Sequence, residues 1–229
     1  MILVRHGRTQ ANADGILAGR SKGVRLDDTG RDQARAVATR LAAVPLVSLV
    51  TSPLARTVET ARAIAREQPD GLQVRRDAAV TECDYGEWTG RPIKDLAKQK
   101  LWKTVQSHAS AVEFPGGESM VAMQSRAIAA ARRWDASVAD SHGANACFAI
   151  VSHGDVIKAI LADAMGMHLD QFQRLVAAPA SVSVIEYAQL RPVVLHVNDT
   201  GSDLRALVRP RRRRRSSGAA TVGGGATGR

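Results

Sequence analysis

Hydrophobic positions along the chain follow two patterns. Unbroken apolar runs occur at MILV (1–4), LVSLVT (46–51) and CFAIVS (147–152). Each predicts a short strand buried on both faces. Between the runs, apolar residues recur at helical spacing. In TGRDQARAVATRLAAV (29–44) they fall at 34, 37, 38, 41 and 44, and Pro45 ends the pattern. SPLARTVETARAIARE (52–67) predicts a second helix with proline near its first turn. MVAMQSRAIAAARRWDASVADS (120–141) predicts a long amphipathic helix that starts near Glu118 and Ser119, and HGDVIKAILADAMGM (153–167) predicts the helix after the third run. QVRRD (73–77) is a weak strand signal, and SVSVIEYAQ (181–189) with PVVLHVN (192–198) predicts two late strands paired as a hairpin.

Strand and helix alternate, and the strands are apolar throughout. The expected fold class is therefore α/β: three layers, αβα, with a mainly parallel central sheet covered by helices on both faces. Ligands of such sheets bind beyond the carboxyl ends of the strands. Arg5-His6-Gly7 ends the first strand, Ser52 and Arg56 follow the second, and Ser152-His153-Gly154-Asp155 ends a later one. All three segments are expected to face one crevice.

Composition changes this picture at one end only. The 229 residues carry a formal net charge of +10, but Arg209, Arg211 to Arg215 and Arg229 supply seven of the 32 basic residues. The predicted organisation is one domain over 1–208, then an Arg-rich and Gly/Ala/Ser-rich tail over 209–229 with too little apolar surface to fold. The tail has no aromatic residue to stack bases, so nucleic acid is not an expected partner. No run approaches the roughly 18 apolar residues of a membrane span. The chain opens on a strand-like run rather than a basic leader, so no membrane contact and a cytoplasmic location are expected. Cys83 and Cys147 are expected as separate thiols. Apolar residues on the late strands leave a homo-oligomer open.

The chemistry lies in the strand-end residues. A glycine after each histidine lets the backbone turn sharply and lets a ligand approach. Arg5 and Arg56 offer permanently charged forks that suit phosphate oxygens. An imidazole among arginines suits phosphoryl transfer in which guanidinium groups stabilise the equatorial oxygens. No metal or other cofactor is expected: the fixed cations would repel a divalent ion, and His6 and His153 sit in no ligand-like spacing.

RHGRTQAN (5–12), TSPLARTVETA (51–61), TECDYGEWTG (81–90), FPGGES (114–119) and VSHGD (151–155) together resemble the histidine phosphatase superfamily, the phosphoglycerate-mutase-like proteins, over residues 1 to about 200. The resemblance implies that fold and a set of roles. His6 would be the nucleophile that becomes a phosphohistidine. Arg5, Arg56 and His153 would bind the phosphoryl oxygens, and Glu82 would protonate the leaving oxygen and then activate water. Gly7, Thr9, Asn12, Gly19, Tyr85 and Gly154 would line the phosphate and substrate pocket, with Tyr85 equally readable as a packing aromatic. Burial would raise the pKa of Glu82 and the arginines would lower it.

Mutases of this superfamily carry an Arg-His pair after the acid and an arginine pair in a following insertion. Here Cys83-Asp84 follows Glu82, and residues 95 to 117 hold Lys98, Lys100 and Lys103 but no arginine. Asp84 also brings negative charge to the expected rim. The expected activity is therefore hydrolysis of a small phosphate ester, ahead of a phosphomutase and of a non-catalytic phospholigand-binding protein. Trp88, Trp102 and Phe114 read equally as a wall for a leaving group or as core.

Overall fold

The computed structural model describes residues 1–68 and 72–201. The predicted tail at 209–229, and the last residues of the predicted domain, lie outside them. Six strands form one sheet: β1 (Ile2–Arg5), β2 (Leu46–Thr51), β3 (Val74–Arg76), β4 (Cys147–Ser152), β5 (Val182–Tyr187) and β6 (Pro192–Asp199), in the order β3-β2-β4-β1-β5-β6. β3, β2, β4 and β1 run parallel; β5 lies antiparallel to β1, and β6 antiparallel to β5. The helices are α1 (Gln10–Ala13), α2 (Asp28–Leu41), α3 (Ala55–Arg66), α4 (Ile93–Leu96), α5 (Lys100–Ser107), α6 (Met120–His142) and α7 (Gly154–Ala164).

Alternation along each strand splits the core in two. Ile2, Val4, Leu49 and Val151 meet Val37, Ala38 and Leu41 of α2 and Ala61 and Ile64 of α3. Leu3, Val50, Phe148 and Ile150 face the opposite way, toward Met123 and Ala127 of α6 and Val156, Ile157 and Ile160 of α7. The sheet is thus the middle of three layers, as the apolar runs predict. Among the described residues no helix is long and apolar enough to cross a membrane.

Differences from the sequence reading lie at element ends. α2 starts one residue early, where the Asp27 side chain accepts from Gly30 N–H, and stops at Leu41, short of Pro45. Residues 52–54, expected in a helix, precede it: Ser52 N–H continues the ladder to Val151 O at 3.0 Å, and α3 begins at Ala55. No pattern marks α4 and α5, which carry Leu96, Trp102 and Val105 into the core. Trp88, Trp102 and Phe114 are buried: Trp88 stacks on Trp102 at 6.1 Å and meets Phe114 edge-on at 5.3 Å. They are core, not an exposed wall.

Candidate active site

Parallel pairing brings the chemistry-bearing segments together. Arg5 lies opposite Ser152 in the β1–β4 register, and His6 N–H extends the ladder to Ser152 O at 3.0 Å. His6 and His153 therefore leave adjacent strands side by side, with ring centroids 5.2 Å apart. β2 ends on the other side of β4, and α3 after it carries Arg56 into the same space. All of these groups are almost fully buried: Arg5, His6, Arg56 and His153 expose 3% or less.

The hydrogen bonds assign the tautomers. His6 Nδ1 lies 2.7 Å from Gly7 O, which can only accept, so the ring proton sits on Nδ1. The lone pair of Nε2 then faces Arg56 Nε–H at 3.3 Å. Arg56 Nη2 approaches His153 Nδ1 at 3.3 Å, a contact in which guanidinium is always the donor. His153 thus carries its proton on Nε2 and donates to Ser52 Oγ at 2.8 Å. Arg56 Nη2 is also anchored on Gly19 O at 2.7 Å, whereas its buried Nη1 has no hydrogen-bond partner among the described residues. Arg5 is braced by Ala177 O at 2.6 Å. Gly7 N–H reaches Thr60 Oγ1 at 3.1 Å, fastening the β1 turn to α3.

Glu82 stands 4% exposed in the irregular segment after β3, and its Oε1 accepts from Cys83 N–H at 3.0 Å. Burial and the nearby Asp155 carboxylate raise its pKa to about 7, against the opposing pull of Arg56, the Cys83 N–H and Arg5. Desolvation decides the balance that the sequence left open. The two imidazoles move the other way. Burial, then the guanidinium charges of Arg56 and Arg5, push His6 well below its ordinary 6.5 despite the bond to Gly7 O. Burial and Arg56 do the same to His153, with smaller contributions from His6 and Arg5. At neutral pH both rings are uncharged.

The remaining predicted residues take more local places. Thr9 and Asn12 form a capping box on α1, each bonded to the other, with Thr9 Oγ1 2.9 Å from Asn12 Oδ1. The space a Gly7 side chain would need is filled by Gly30 O, 2.3 Å from an added Cβ. That glycine is required by close backbone packing, not by room for a ligand. Gly19 has a φ of +49° and turns its carbonyl to Arg56. Gly154 opens α7, so its N–H belongs to the donor-rich first turn. Tyr85 is fully buried and its hydroxyl donates to Asp155 Oδ2 at 2.7 Å. Asp155 lies in the first turn of α7, after its N-cap position. It pairs with Lys158 at 2.9 Å inside the core. Asp84 is paired with Arg20 at 3.3 Å, which offsets the charge expected at the rim.

Sequence reasoning missed Thr60, Arg20, Glu118 and Arg126. Glu118 lies inside a recognised segment, PGGES, but its partners Arg20 and Arg126 come from distant positions with no local signal.

The two neutral imidazoles make folding stability pH-dependent. Their pKa is lowered in the folded state, so below about 6.5 the unfolded chain binds protons that the folded chain does not. Stability is present above that pH and is lost on acidification, by up to about 1.4 kcal/mol per pH unit for each ring. Glu82, raised in the fold, opposes one ring between 4.5 and about 7. Urea unfolding at pH 7 and pH 5.5 should therefore give a lower midpoint at pH 5.5, and His153→Asn should flatten that difference.

The chain matches the histidine phosphatase superfamily (branch 1) over residues 1–200. It is 29% identical over 210 residues to phosphoserine phosphatase 1 of Hydrogenobacter thermophilus, covering 87% of this chain and 92% of the relative. It is 31% identical over 191 residues to a probable phosphoglycerate mutase, GpmB, of Yersinia enterocolitica, covering 82% and 85%. Among solved structures, a mycobacterial glucosyl-3-phosphoglycerate phosphatase complexed with VO3 superposes with a TM-score of 0.78 over 87% of this chain and 98% of that one, at 24% identity, a likeness of fold. Strand ends that gather two neutral histidines and two buried arginines, in a chain that fits the family profile along nearly all its length, lead to one assignment: the protein belongs to the histidine phosphatase superfamily, branch 1.

Proposed function

We propose that the protein is a phosphomonoester hydrolase that carries the phosphoryl group on His6 and acts on a small phosphorylated metabolite. The observation that carries this reading is the buried, uncharged His6 ring with its proton held on Nδ1 by Gly7 O and its Nε2 lone pair turned toward Arg56. Nε2 attacks phosphorus, and the bond from phosphorus to the ester oxygen breaks. Glu82, in the protonated form that its raised pKa of about 7 keeps populated at neutral pH, gives its proton to that oxygen, and the alcohol leaves. Water then attacks the phosphohistidine and loses a proton to the Glu82 carboxylate. The P–N bond breaks, phosphate leaves, and both residues return to their starting forms. Arg5 and Arg56 hold the equatorial oxygens throughout. His153, fixed by Ser52, orients Arg56 and lies against the same oxygens.

The guanidinium charges supply the positive field, so activity should survive EDTA. Relatives named for phosphoserine and for glucosyl-3-phosphoglycerate point to alkyl phosphates as the first substrates to try. Lys98, Lys100 and Lys103 are exposed, which favours hydrolysis over a mutase reaction needing a cationic clamp on a second anionic group. Purified protein in EDTA should release phosphate from p-nitrophenyl phosphate and phosphoserine; in buffer without EDTA, which would sequester vanadate, it should be inhibited by orthovanadate, which should also raise its melting temperature. Interconversion of phosphoglycerates without hydrolysis would replace this reading with a mutase. Vanadate binding without turnover would replace it with a binding protein.

Arg56→Lys keeps the charge and loses the fork that bridges His6, His153 and Gly19. It should lower kcat/KM by about 100-fold, with phosphate inhibition weakened in parallel. Initial rates across a range of phosphate concentrations measure both.

A further inference from the structure

We propose that Glu118 is a positioning residue for Glu82: its carboxylate locks together the two guanidinium groups, Arg20 and Arg126, that hold the Glu82 backbone in place. The inference rests on the reading of Glu82 as the proton donor.

Residues 81–85 form neither helix nor strand, so their backbone groups need partners from elsewhere. Arg126, on α6, donates from Nη1 to Ala79 O at 2.8 Å and Thr81 O at 2.7 Å, and from Nη2 to Glu82 O at 3.2 Å. Arg20, from the loop after α1, donates from Nε to the same Glu82 carbonyl at 2.9 Å. Two cations converging on one oxygen repel each other unless an anion lies between them. Glu118 is that anion. Its Oε1 accepts from Arg126 Nη2 at 2.6 Å, Arg20 Nη2 at 2.9 Å and Asp84 N–H at 2.8 Å, and its Oε2 from Arg126 Nε at 3.0 Å.

Backbone packing fixes where Glu118 stands. An added Cβ at Gly117 would lie 2.2 Å from Asp84 O, and one at Gly86 2.1 Å from Pro115 O. The 114–118 loop is therefore seated directly on the segment after Glu82, and Glu118 N–H donates to Asp84 O at 2.9 Å. Burial pushes the Glu118 carboxyl up, but the bonds from Arg126 and Asp84 N–H, with the charges of Arg126 and Arg20, outweigh it. It stays ionised at neutral pH. Every contact named for Glu118 is to the structure around the Glu82 backbone, which makes it a positioning rather than a catalytic residue.

Glu118→Gln preserves size but sets an amide N–H against an Arg126 donor. Protonation of the leaving group should suffer while phosphate binding does not. Expected is a drop of about 30-fold in kcat/KM for phosphoserine and under about 3-fold for p-nitrophenyl phosphate, whose leaving group needs little protonation. Vanadate inhibition should be unchanged. Arg20→Gln, at a partly exposed side chain, should show the same dependence on leaving group in a fold less at risk. In the Glu82→Gln background, Glu118→Gln should add no further loss on phosphoserine. Equal losses on both esters, or a full additive loss in the double variant, would overturn the proposal. Amide exchange at Asp84 needs no turnover and should accelerate in Glu118→Gln. Unchanged exchange would also overturn it, whereas faster exchange in a protein that hydrolyses neither ester would place the failure in the phosphatase reading alone.

Discussion

Replacing His6 with alanine should reduce phosphatase kcat by about 10⁵-fold or more, because it removes the atom that forms the covalent intermediate. Folding and binding should largely survive. Arg5 stays braced by Ala177 O, and Arg56 keeps its bond to Gly19 O, so the guanidinium pair can still receive an anion. Vanadate should therefore still raise the melting temperature of the variant. Two further readings separate lost chemistry from lost structure. Wild-type protein quenched during turnover of a radiolabelled ester should carry acid-labile, base-stable label, and the alanine variant should carry none. Added imidazole, entering the space left by the ring, should restore part of the phosphoryl release. Retained turnover within about 10-fold of wild type would remove His6 from the mechanism and with it the proposed intermediate.

The sequence marked this residue for a physical reason. A buried parallel strand must be apolar on both faces, so MILV, LVSLVT and CFAIVS stand out, and their ends identify the crevice without knowledge of any side-chain contact. The register bears this out by setting Arg5 opposite Ser152. The late hairpin, β5 with β6, was legible from alternation in the same way. α4 and α5 were not, because short helices that pack by a few large residues leave no sustained period. Partners were the other loss. Asp155 looks like a cap in SHGD, yet its carboxylate meets Lys158 one turn on and Tyr85 from a loop 70 residues away. Arg20, Glu118 and Arg126 are unremarkable charges until three distant segments are brought together. Periodicity reports what faces the core. It carries no information on which buried charge finds which.

Glu82→Gln tests the other half of the chemistry and should cost about 10³-fold in kcat/KM for an alkyl phosphate, within the usual range for losing a general acid. The loss should shrink sharply for p-nitrophenyl phosphate, since its leaving oxygen departs without a proton. The pH profile should change as well. With a pKa near 7 in the folded protein, the carboxyl is the competent donor below that pH and is progressively deprotonated above it. The wild-type advantage over the variant on the alkyl ester should therefore fall about tenfold per unit above pH 7. The substitution should move stability in the opposite sense to activity. Because the folded pKa of Glu82 lies above its ordinary 4.5, the folded chain holds this proton more tightly than the unfolded chain, and the contribution of Glu82 to stability is lost as pH rises from 4.5 to about 7. Glutamine carries no charge to bury, so the variant should melt above wild type at pH 8 while turning over alkyl phosphates far more slowly. A variant that is both slower and less stable, with equal losses on every leaving group, would mean that Glu82 supports the fold rather than handling the proton.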